Sequence, residues 1–138
     1  MRSVRSLVVV ATTILAFSVL ASSVSAASPK NFHLTKTCVS DFLCTVVSSD
    51  FKAIPAGTDI TYTVTGDGSD GLAYPTIVVR NGSTTGVCDW NQPAGPVLAK
   101  CTFGTGTGRL TQFHLAVDVT FDGTHWFWDG TYWFGNGH

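Results

Sequence analysis

The 138-residue chain contains no glutamate, and all of its acid is nine aspartates. Lys and Arg together number eight, and the one Met stands at position 1. With Glu absent and Met and Lys scarce, the strongest helix formers are largely missing. That excludes a helix bundle and argues against a parallel sheet layered with helices. Charge is sparse too, at 12% of residues, and Lys30, Lys36, Lys52, Arg80, Lys100 and Arg109 stand singly. Phosphate binding needs clustered positive charge, so nucleic acid is not expected as a partner, and no polybasic patch for a membrane surface is present. There is no C-x-x-C, no internal repeat, and no Ser or Cys in a nucleophile motif.

What is present favours strands and turns: nineteen Thr, 14 Gly and 12% aromatic residues. Arg2 and Arg5, the apolar run Leu7 to Leu20 and the small residues Val24-Ser25-Ala26 predict an export signal over 1–26, cut ahead of Ala27. A membrane-spanning helix needs roughly 20 apolar residues, and this run is shorter and interrupted by Thr12, Thr13 and Ser18. Removing it leaves 112 residues, 27–138, enough for one secreted domain with six cations against nine Asp. The protein is expected outside the cell, off the membrane after cleavage, and as a monomer.

Cys38, Cys44, Cys88 and Cys101 all lie in the exported part, so two disulfides are expected. Three pairings are open; Cys38 with Cys44 and Cys88 with Cys101 are favoured because each closes a short loop. The spacings match no zinc finger or ribbon, and neither a metal nor another cofactor is expected.

Ala27 to Thr37 reads as a tail or a first irregular strand. Strands follow over Leu43 to Phe51, Asp59 to Thr65, Tyr74 to Arg80 with Pro75 at its start, a short piece at Val87 to Trp90, and Val97 to Phe103. Phe113, Leu115, Val117, Val119 and Phe121 then alternate with His114, Ala116, Asp118 and Thr120, and Asp122-Gly123 predicts a tight two-residue hairpin turn before Trp126 to Phe134. That turn sets Val119 opposite Trp126 and makes one face wholly apolar. A four-residue turn keeps the faces but places Asp118 opposite Asp129, which like-charge repulsion disfavours. Seven or eight short strands separated by Gly, Asp and Pro predict an all-β domain, a single antiparallel β-barrel or β-sandwich.

Gly106-Thr107-Gly108-Arg109-Leu110 resembles the G-T-G-[KR]-[FL] turn between strands in small β-barrels of the dirigent and allene oxide cyclase type. The resemblance covers about ten residues of the 138. It implies a barrel with a central cavity for a small apolar ligand, and carries over no catalytic residue.

Other signals resolve into turn chemistry. Gly104, Gly106 and Gly108 give G-x-G-x-G followed by a strand, not the phosphate-binding loop that opens a helix. Asp67, Ser69 and Asp70 start like a calcium loop, but the twelfth position is Val78 where a bidentate Glu is needed. Asn81-Gly82-Ser83 is formally a glycosylation sequon, expected to stay bare. On the polar face of the last hairpin, His114, Asp118, His125 and Asp129 are the candidates for acid–base chemistry, although His114 and Asp118 sit roughly 13 Å apart along a strand. If Trp126 and Trp128 face the core, Phe127 and Trp133 face away, and Trp90 lies in a loop. These three are the candidate binding residues. The leading expectation is a non-enzymatic module that binds a carbohydrate, a small apolar ligand or a protein through aromatic side chains. The alternative is a small barrel enzyme, an isomerase or cyclase using His and Asp around an apolar cavity.

Overall fold

The computed structural model describes residues 27–135, so the export signal predicted over 1–26 lies outside the described residues. Eight strands follow one another: β1 Lys30–Ser40, β2 Leu43–Ser49, β3 Asp59–Thr63, β4 Leu72–Val79, β5 Gly82–Asp89, β6 Ala99–Gly108, β7 Phe113–Phe121 and β8 Trp126–Phe134. Each pairs antiparallel with its neighbour in sequence, and β8 pairs with β1, so the sheet closes into an up-and-down barrel without a free edge. Among the described residues there is no helix.

Period-two alternation builds the interior. Phe32 and Leu34 of β1, Cys44 and Val46 of β2, Ile60 and Tyr62 of β3, and Phe113, Leu115, Val117 and Val119 of β7 all point inward. Both disulfides form as expected, Cys38–Cys44 and Cys88–Cys101, each joining adjacent strands across the barrel wall.

One end of the barrel is plugged. Phe51 stacks on Phe113 with centroids 5.1 Å apart and packs on Tyr132 at 4.5 Å, with Phe32 and Phe134 around them. Ile54 from the β2–β3 loop and Leu110 from the β6–β7 turn are fully buried in the same core. The other end carries the β1–β2, β3–β4, β5–β6 and β7–β8 connections and stays open.

Several local readings change. β1 is a full strand, and β4 starts at Leu72, which puts Pro75 inside it. The β4–β5 ladder is interrupted opposite Pro75, next to a β5 irregularity at Thr85/Gly86, and this gap accommodates a residue with no amide hydrogen. Gly104 to Gly108 is strand, not turn, paired with β5; the turn falls on Arg109 to Gln112. The close packing of that turn explains the glycines. A Cβ on Gly106 would lie 1.9 Å from the Leu110 carbonyl oxygen, and one on Gly108 2.0 Å from that of Asn81.

The last hairpin takes the register that charge repulsion had disfavoured: Val119 faces Trp128 and Asp118 faces Asp129. Its turn has four residues, held by the Asp122 carboxylate, which accepts from the Thr124 and His125 amides at 2.8 and 2.7 Å. These bonds hold the Asp122 carboxyl below its usual range. The two facing aspartates each have a partner on the strand beside them. Lys100 of β6 donates to Asp118 at 2.7 Å, and His33 of β1 pairs with Asp129 at 2.5 Å. The result is a row His33–Asp129–Asp118–Lys100 across four neighbouring strands. The apolar face is the same in either register.

Candidate functional site

The open end encloses a cavity of about 640 Å³. Its walls are Cys38 and the Cys38–Cys44 disulfide, Val64, Leu72 and Ala73, with Trp90 and Trp126 set edge to face at 5.8 Å. Trp126 is backed by Phe121, stacked at 4.4 Å. Around the rim Val39 is 84% exposed and Phe42 53%, with Val64 and, behind Trp126, Phe121 also exposed. Exposed apolar side chains are thus gathered at this end of the barrel, around the mouth of the cavity.

Loop bonds fix the rim. The Trp90 amide donates to the Gly71 carbonyl at 2.9 Å, and the Asn91 side-chain amide donates to the Asp70 carbonyl and the Asp89 carboxylate. Asn91 packs so closely on Gly71 that a Cβ there would meet it at 2.4 Å, and Gly71 has φ +70°. The Tyr62 amide donates to the Phe42 carbonyl, which ties the β1–β2 turn to β3.

Inside the cavity is Lys36. It occupies the same inward phase of β1 as Phe32 and Leu34 and is only 3% exposed. Its ammonium nitrogen donates to Tyr62 Oη, lies 3.7 Å from Cys44 Sγ, and sits over the rings of Tyr62 and Trp128 at 4.6 and 4.7 Å. Burial pushes Lys36 down to about 7 and pushes the Tyr62 phenol up, so Tyr62 is a neutral hydroxyl. The indole N–H of Trp128, fully buried, has no acceptor among the described residues.

The residues singled out from sequence lie apart from one another. Trp90 is on the cavity rim. Phe127 is on the outer wall beside His33, with centroids 6.2 Å apart, and Trp133 is on the outer wall stacked on His114 at 5.3 Å. Phe127 and Trp133 are separated by roughly 20 Å of strand, so the three aromatics form no single platform. His114 packs on Trp133, Asp118 binds Lys100, and Asp129 binds His33. His125 lies 3.9 Å from its own turn's Asp122, with its ring 6.4 Å from that of Phe127. None of the four lines the cavity. Among the described residues no group of His, Cys and Asp could hold a metal ion.

Lys36 and Tyr62 were the residues the sequence concealed. The available signal was a lysine in phase with Phe32, Leu34 and Cys38, a cation on the apolar side of a period-two pattern. Compared with known proteins, the chain matches no family model, no curated protein and no solved structure.

Proposed function

We propose that this chain is an exported, non-enzymatic binding barrel whose open end takes a small, largely apolar molecule. The observation that carries the reading is the cavity of about 640 Å³ between Trp90 and Trp126, ringed by exposed apolar side chains. That volume lies within the range of small-molecule sites, and its composition, mostly apolar with few polar groups, is theirs too. The likeness of Gly106 to Leu110 to the dirigent and allene oxide cyclase barrels points the same way, toward a ligand held inside. The two disulfides fit an oxidising compartment, in keeping with the predicted leader.

Titration of the folded chain with decanol, followed by Trp fluorescence, tests the reading. Saturable quenching or a blue shift is expected. Trp90→Ala weakens binding by about tenfold, the worth of one buried aromatic contact. Val47→Ser, on the outward face of β2, leaves it unchanged. A flat response in the wild type overturns the proposal.

A further inference from the structure

Lys36 is a buried amine with no anionic partner among the described residues. Among the described residues the carboxylates in contact with a basic side chain are Asp118 with Lys100, Asp129 with His33 and Asp122 with His125, all on the outer surface. The groups packed against Lys36 are the disulfide sulfur of Cys44 from β2, the phenol of Tyr62 from β3 and the ring of Trp128 from β8, none of them negatively charged. Two aromatic faces offset part of the cost of desolvating an ammonium, but a buried charge is normally also paired. The carboxylates that border the cavity, Asp41 and Asp67, are exposed at its mouth. The Ser69 hydroxyl and amide hold Asp67 below its usual range, so it stays ionised.

We propose that the cavity takes an amphiphile with a single carboxylate, its head on Lys36 and Tyr62 and its apolar chain leading out past Trp126 to Trp90. The inference rests on the cavity being the ligand site. Lys36 Nζ and Tyr62 Oη are two donors side by side, and a carboxylate has two acceptor oxygens to meet them. One negative charge balances the one ammonium, whereas a dianion would leave net charge buried. The acidic mouth sets direction, because Asp41 and Asp67 repel an anionic head left at the rim and favour one seated inside.

The orientation carries a proton signature. With Lys36 at about 7 in the empty cavity, a bound carboxylate favours the ammonium, so binding takes up a proton as pH rises past that value. Affinity for the acid therefore falls by about tenfold per pH unit above neutrality, while affinity for an uncharged ligand stays level.

The experiment compares decanoate with decanol by Trp fluorescence at about pH 6.5 and about pH 8.5. Decanoate is expected to bind at least about tenfold more tightly than decanol at the lower pH and to lose most of that advantage at the higher, with decanol unchanged. In Lys36→Met the acid preference and its pH dependence disappear, and Tyr62→Phe weakens decanoate several-fold. Equal affinity of the wild type for acid and alcohol at the lower pH overturns the proposal, as does an acid preference that persists in Lys36→Met. The wild-type comparison decides the matter even if a variant fails to fold. Binding of neither compound overturns instead the reading of the cavity as a ligand site.

Discussion

The two ends of this barrel are built from similar materials and behave oppositely. At the plugged end Phe51, Phe113, Tyr132 and Phe134 pack ring on ring, and the adjoining loops send Ile54 and Leu110 into the core. At the open end Trp90, Trp126 and Phe121 also meet ring on ring, but among the described residues no loop delivers a side chain to fill the space beneath them. Aromatic content alone therefore does not separate core from site. What separates them is whether a connection folds inward, and here the inward place is held by a lysine.

The largest expected contrast comes from truncating one ring at each end. Phe113→Ala removes a fully buried side chain and is expected to cost about 3–5 kcal/mol in chemical denaturation. Trp126→Ala, at the half-buried rim, is expected to cost clearly less while weakening ligand binding. Equal losses would erase the distinction between plug and cup.

Next in size is Lys36→Met, a substitution toward what the plugged end does everywhere. Removing a desolvated ammonium is expected to stabilise the fold by on the order of 3 kcal/mol at pH 7, less the cost of Tyr62 losing its partner. The sign with pH follows from proton counting. Unfolded Lys36 keeps its proton up to the ordinary 10.5, whereas the folded chain releases it near 7. Between those values the unfolded chain carries more protons, so wild-type stability rises with pH across that window, and the rise vanishes in Lys36→Met. A wild-type melting temperature that is flat from neutral to alkaline pH would contradict the assignment.

The disulfides give a smaller contrast. In the chain-entropy account, replacing Cys88 and Cys101 by Ala costs about 3 kcal/mol, and replacing Cys38 and Cys44, with the shorter loop, about 2 kcal/mol. Because Cys38 and Cys44 line the cavity, only the second pair should also alter binding. The smallest effect is at the plugged end, where Gln112 holds φ 58° in the β6–β7 turn. Gln112→Gly is expected to raise stability by up to about 1 kcal/mol in a denaturant titration, with binding untouched.

The strands legible from sequence were those whose period-two pattern is unbroken, β3 and β7 above all. β1 was obscured because Lys36 interrupts its apolar phase, so the residue that hid the strand is the one that faces the cavity. The hairpin register was misjudged for a related reason. Repulsion between Asp118 and Asp129 is a two-strand argument, and its relief by Lys100 and His33 exists only once β6 and β1 flank the hairpin. Local chemistry at Asp122 then sets the turn. Sequence pattern reaches one strand and its partner, whereas closure of the sheet brings together residues nearly a hundred positions apart.

That closure also orders events in time. β1 is made first and its outer partner β8 last, with Leu34 waiting for Trp128 and Phe32 for Gly130. Until β8 is available, the first strand exposes an unpaired hydrogen-bonding edge and the half-formed barrel cannot lock its two margins together. Such late, long-range pairing slows folding and prolongs exposure to self-association. A chain truncated before Trp126 is left with edges on both β1 and β7, so it should collect as aggregate and not as a smaller barrel.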